Sequence, residues 1–214
     1  MLDASASMAF PLATQGKWTQ ACRLAIGLAA VAHSAGDPVG VAVAGEEGIE
    51  QLPPRTRRGV IGEAARLFET VTPAGSGSLE PVLSLVRPTQ RIVLISDFLS
   101  DDDALLRAAR ERITAGADVL AIHIVAREEL DPSHTAIIAQ DPECAELKRS
   151  LVDETREGYR EAFGAWRAEL ARGWRAAGAA YFEVPADEGT DHAVRRIASP
   201  ATVVPAAPAQ SRGA

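Results

Sequence analysis

Apolar positions along the chain fall into two alternating rhythms. From Lys17 to Ser34 they recur at threes and fours (Trp18, Ala21, Cys22, Ala25, Leu28, Ala29, Ala32), the spacing of a helix that buries one face. Gly36-Asp37-Pro38 ends it, and Val39 to Ala44 follows as a short apolar run bounded by turn residues, which predicts a buried strand. Glu46 to Leu52 reads as an edge strand closing at Pro53-Pro54, and Arg58 to Thr70 as an amphipathic helix carrying Ile61, Ala64, Ala65 and Phe68. Leu79 to Val86 is a short helix with Pro81 in its first turn. Arg91 to Asp97 is the clearest buried strand, and it ends on a carboxylate. A helix is expected from Asp101 to Ala115, opened by three acidic residues, and a strand from Ala117 to Val125 that leads into Ala126 to Leu130.

The texture changes after that. Thr135 to Ala139 suggests a strand before a turn at Asp141-Pro142, and Asp153 to Ala177 a long helix with Tyr159, Phe163, Trp166, Leu170 and Trp174 along one side. Packing is the default use of such a row. Ala180 to Val184 and Thr190 to Ala198 predict a last strand and a last helix. Strands alternating with helices imply an α/β, doubly wound, mostly parallel sheet with helices on both faces, spanning residues 1–198. The Pro-, Ala-, Ser- and Gly-rich stretch 199–214 is expected to be a disordered tail.

Composition narrows the function. At 214 residues, 47% hydrophobic but only 5% aromatic, the core must be built from Ala, Val, Leu and Ile. A net charge of −7 with no long basic run argues against nucleic-acid and anionic-membrane surfaces as partners. Cys22 and Cys144 are far apart and outside any C-x-x-C pair, so neither a disulfide framework nor a zinc knuckle is indicated. No apolar run reaches the length that spans a bilayer, and no signal peptide is visible, which makes the chain as given cytoplasmic.

The candidate chemistry lies at the start. Asp3, Ser5 and Ser7 form a D-x-S-x-S run where a strand should pass into a loop, offering a hard divalent ion one charged and two neutral oxygens. The same residue types suit a polar turn or helix cap. Asp97 distinguishes the two, because in a doubly wound sheet the loops after neighbouring strands converge where the strand order reverses. Only Met1 and Leu2 precede Asp3, against five or six residues in an ordinary central strand, so the first strand is expected to be incomplete and the natural chain to begin earlier. His33, His123, His134 and His192 are scattered without metal spacing, and no phosphate loop or nucleophile elbow is present.

Three segments together resemble a von Willebrand factor A domain, and more closely a bacterial branch of it, the domain-of-unknown-function family 58. They are Leu2 to Met8 (Leu-Asp-x-Ser-x-Ser-Met), Gly36 to Gly40 (Gly-Asp-x-Val-Gly) and Ile95 to Phe98 (Ile-Ser-Asp-Phe), with similarity continuing at Asp141 to Glu143, Tyr159 and Gly178 to Tyr181. The resemblance implies a metal-ion-dependent adhesion site. Ser5 and Ser7 would contact Mg²⁺ or Mn²⁺ by their hydroxyls, Asp3 and Asp97 largely through water, and a second loop would add a threonine. Aligning that loop on Pro73 to Leu79 puts Gly77 at the threonine position, leaving Ser78 or Ser76 to reach in and lowering the expected affinity.

The resemblance further implies a non-enzymatic protein-binding module that presents the ion to an acidic side chain of a partner. That partner is expected to be a MoxR-type AAA+ ATPase, with missing upstream residues anchoring the natural protein in a membrane. A metal-dependent phosphohydrolase is the alternative from another class. It is disfavoured because Asp3-Ala-Ser lacks a D-x-D form and no lysine lies between residues 91 and 127. A structural domain with a decayed metal site is the third reading.

Overall fold

The computed structural model describes residues 1–84, 90–100, 103–132, 138–140, 148–150 and 153–199. In chain order the elements are β1 (Leu2–Asp3), a 3₁₀ turn (Ala6–Ala9), α1 (Gly16–Ser34), β2 (Val39–Gly45), β3 (Gly48–Arg55), α2 (Val60–Thr70), α3 (Glu80–Ser84), β4 (Arg91–Ser96), α4 (Asp103–Thr114), β5 (Asp118–Val125), α5 (Arg127–Leu130), β6 (Ile138–Gln140), β7 (Lys148–Ser150), α6 (Asp153–Ala176), β8 (Ala180–Pro185) and α7 (Thr190–Ala198). Asp101, Asp102, His134, the Asp141-Pro142 turn, Cys144 and the expected tail from residue 200 lie outside the described residues.

Six strands form one sheet in the order β3-β2-β1-β4-β5-β8, with β3 antiparallel to β2 and every other pairing parallel. The order reverses between β1 and β4. Leu2 is in register with Val43 on one side and Ile95 on the other, so the short β1 sits at the middle of the sheet. Its ladder is extended by Met1, whose amine donates to the Val93 carbonyl at 2.8 Å and whose carbonyl accepts the Ile95 amide.

The parallel strands are buried on both faces, as their unbroken apolar runs require. In β5 the alternation is explicit. Leu120, Ile122 and Ile124 enter a core with Trp18, Ala21 and Leu24 of α1, Phe68 of α2 and Ile197 of α7. Val119 and Ala121 face the opposite core, with Leu83 of α3, Leu105 and Ala109 of α4 and Trp174 of α6. One expectation is corrected in detail: β3 runs on through Pro53 and Pro54 to Arg55, which an edge strand tolerates because one side of its backbone has no ladder partner to satisfy. Of the strand expected at 135–139, residues 135–137 lie outside the described residues, while Ile138–Gln140 form β6, paired antiparallel with β7 in a separate two-stranded sheet.

Candidate functional site

The carboxyl end of β1 delivers Asp3 into a loop that folds back on it. Oδ1 of Asp3 accepts the Ser5 amide at 2.8 Å, an Asx-type closure that turns the chain into the 3₁₀ segment. The Ser5 and Ser7 hydroxyls lie 3.1 Å apart. Across the order reversal, the end of β4 builds a matching turn. Ser96 donates its hydroxyl to Oδ2 of Asp3 at 2.6 Å and accepts the Phe98 amide at 2.9 Å, while Asp97 Oδ1 accepts the Leu99 amide at 3.3 Å. Phe98 takes a left-handed φ of 52°, which costs a non-glycine residue conformational energy; its ring is held between His123 and Trp174. The adjacent Asp97 is thereby aimed inward.

Asp3, Ser5, Ser7 and Asp97 are each no more than 3% exposed. Burial, with the negative charge of Asp97 nearby, pushes the Asp3 carboxyl up to about 6, against the opposing pull of its bonds from Ser96 and Ser5. No cationic side chain is paired with Asp3 among the described residues.

The loop 72–78 closes over the first loop by backbone bonds: the Ala6 amide donates to the Gly75 carbonyl at 2.9 Å and the Ala74 amide to the Ala4 carbonyl at 3.0 Å. Gly77 is packed so tightly that a Cβ there would sit 2.7 Å from the Ala44 carbonyl oxygen and 3.4 Å from Asp3 Oδ1. The position expected to carry a threonine therefore touches the site but has no room for a side chain. Ser78 is exposed, and its hydroxyl accepts the Glu80 amide at the start of α3. Of the sequence-predicted residues, the structure gathers Asp3, Ser5, Ser7 and Asp97 and leaves Ser78 on the rim.

One participant was absent from the sequence reading. Lys17, the second residue of α1, has no exposed surface and places its ammonium 2.7 Å from Asp97 Oδ2 and 2.6 Å from Glu129 Oε1. Glu129 is fixed in turn by the Ala126 amide, which donates to Oε2 at 2.7 Å. Burial alone would lower the Lys17 ammonium, but the Asp97 and Glu129 carboxylates outweigh it and hold it above the ordinary lysine range. Lys17 also corrects the argument that this fold lacks a lysine near Asp97, because the window 91–127 could not register a residue brought in from α1.

His123, the aromatic row of α6 and Cys22 are packed against neighbours within the fold. His123 is buried in β5, its Nδ1 bonded to the Tyr181 hydroxyl at 2.6 Å, and burial lowers its pKa to about 3, so it stays neutral. Trp166 packs edge-on to His123 and stacks with Phe163, which stacks on Tyr159. The Cys22 thiol is free and half-buried, and burial pushes it up to about 12. Among the described residues there is no group of three or more His, Cys, Asp or Glu side chains placed to hold a metal ion between them, and no helix long and apolar enough to cross a membrane.

Two solved structures resemble this one over 92% of the chain. The conserved hypothetical protein BatB from Bacteroides thetaiotaomicron matches with a TM-score of 0.57 at 20% identity, covering 92% of its own chain. An aerotolerance-related membrane protein from Bacteroides fragilis NCTC 9343, carrying multiple mutations to serine, matches with a TM-score of 0.57 at 19% identity over 93% of its chain. The VWA domain of SpRpn10 aligns at a TM-score of 0.46 and 12% identity, over 93% of this chain and 92% of that one. A search of curated proteins finds no match. The family model described as "Protein of unknown function DUF58" matches residues 1–171, and the chain belongs to that family.

Proposed function

We propose that this chain is a non-enzymatic protein-binding module whose recognition site lies at the carboxyl ends of β1 and β4 and takes a divalent ion, Mg²⁺ or Mn²⁺. The observation that carries the reading is Asp3, a buried carboxylate without a cationic partner among the described residues, beside two convergent hydroxyls. The donor set fits a hard ion. Neighbouring ligands in a Mg²⁺ octahedron are about 3 Å apart, given metal–oxygen distances near 2.1 Å, and the Ser5 and Ser7 oxygens are 3.1 Å apart. Ser5 and Ser7 would hold the ion with Asp3 and Asp97, and Ser78 would contribute from the rim. A bound ion supplies an electrophilic position for a carboxylate of the partner. Ser96 and the Ser5 amide orient Asp3, and the Leu99 amide orients Asp97.

The surrounding surface suits a protein. Leu12 and Leu99 are 81% and 42% exposed on the segments that follow β1 and β4, the strands whose carboxyl ends carry the site. Isolated exposed leucines are ordinary, and we assign these two to the contact surface because of the strands they follow. The partner assigned on the family resemblance is a MoxR-type AAA+ ATPase, which places the encounter where ATP is available. Immobilised chain exposed to such an ATPase should bind it in Mg²⁺ and release it on chelation or with Asp3→Ala. Retention under both treatments contradicts the reading. A phosphohydrolase has gained Lys17 but not a free ammonium, since Asp97 and Glu129 already occupy it. The crowding at Gly77 favours weak rather than tight ion binding.

A further inference from the structure

Each carboxylate that Lys17 meets also has a backbone bond of its own: Glu129 accepts the Ala126 amide at 2.7 Å and Asp97 the Leu99 amide at 3.3 Å. Lys17 then bridges them across separations of 80 and 112 residues, with the Phe10 ring 5.6 Å from its nitrogen on another side. Taking a lysine fully out of water is costly unless its charge is met, and here two carboxylates meet it. The Asp97 oxygen that Lys17 engages belongs to the carboxylate expected to help hold the ion.

We propose that the Lys17 ammonium is a resident cation of this site that competes with a divalent ion for Asp97. This rests on the cation-site reading above. An ammonium beside a divalent ion repels it, and the repulsion is strong where water is excluded. Ion binding therefore requires Lys17 to give up Asp97 and remain with Glu129, which serves as its parking position. Because Asp3, Ser5, Ser7 and Asp97 are all covered, the same exchange is coupled to parting of the loops over the site. Ion affinity in the natural chain is kept low by its own lysine, and a partner that draws Lys17 away raises it.

Calorimetric titration of Mn²⁺ into metal-free wild type, Lys17→Met and the double variant Lys17→Met/Glu129→Gln tests this. The double variant removes one positive and one negative charge together, so it preserves charge balance where the single variant fails to fold. Both variants should bind at least about tenfold more tightly than wild type. Equal affinities overturn the competition but leave the cation site standing; no binding by any of the three overturns both. A measurement on unaltered protein complements it. The chain has two lysines, so ¹³Cε-lysine labelling gives two signals, assigned with Lys148→Arg. The Lys17 signal should move in step with Mg²⁺ saturation while that of Lys148 stays. A Lys17 signal that does not move during a titration that calorimetry shows to bind overturns the inference.

Discussion

The Ser96 hydroxyl donates to Oδ2 of Asp3 at 2.6 Å, joining the last residue of β4 to the last residue of β1 across the reversal of strand order. The same oxygen accepts the Phe98 amide, so one buried hydroxyl serves both loops. Ser96→Ala leaves a carboxylate oxygen and a backbone amide unsatisfied. A loss of about 1–3 kcal/mol is expected by urea denaturation. A change within error of zero would mean that the two loops are held by other contacts.

Asp3 gives the fold a specific pH dependence. Its carboxyl is raised from 3.8 to about 6, so between those values the folded chain keeps a proton that the unfolded chain has lost. The associated stability is present below about pH 4 and disappears as the pH rises through about 6, a swing of up to about 3 kcal/mol. Asp3→Asn lacks this titration. With chelator present, the stability of wild type relative to the variant should fall across that window; a constant difference from pH 4 to 8 contradicts the assignment.

Removing the Lys17 charge leaves the buried Asp97 and the partly buried Glu129 facing each other uncompensated. Lys17→Met should cost about 3–5 kcal/mol in chelator, the usual penalty for leaving a buried charge uncompensated. Adding Glu129→Gln should recover part of it, so the cycle should show strong coupling between the two positions. Additive losses would mean that the ion pair, despite its 2.6 Å geometry, is energetically idle.

Gly77 should resist replacement. Its missing Cβ would press on the Ala44 carbonyl at 2.7 Å, a backbone atom that cannot rotate away. Gly77→Ala is expected to destabilise by about 1–3 kcal/mol, the range typical of overpacking. Gly77→Thr should not improve Mn²⁺ binding. A threonine variant that is both stable and tighter-binding would show that the loop 72–78 shifts freely.

Leu12 and Leu99 separate recognition from folding. Being exposed, Leu12→Ser and Leu99→Ser should change stability by less than about 0.5 kcal/mol. If the proposed ATPase partner and ion site are right, they should nonetheless weaken binding of that ATPase measured by interferometry, while leaving Mn²⁺ affinity at the wild-type value. Unchanged partner binding in both would remove the carboxyl ends of β1 and β4 as the contact surface.

The sheet was legible because its signals are local. Val39 to Ala44 and Arg91 to Asp97 are apolar runs between turn residues, and α1 announces itself by spacing. The convergence of Asp3 with Asp97 was also legible, since sheet topology alone places the two loop starts side by side. Lys17 was not, because a lysine near a helix start ordinarily lies in solvent and only the fold shows that α1 carries it under the loops to Asp97 and Glu129. Ser96 was hidden for a similar reason: its strand position gives no hint that its hydroxyl turns toward Asp3. Ser78 follows from the family resemblance of the second loop, and the structure adds that its exposed hydroxyl accepts the Glu80 amide.

The most direct test of the cation site is the paramagnetic resonance signal of free Mn²⁺ during titration of metal-free chain. Wild type should quench the free-ion signal saturably, and Asp3→Asn and Ser5→Ala/Ser7→Ala, shown to be folded, should leave it intact. A wild-type chain that quenches nothing, or variants that quench as well as wild type, would contradict the account.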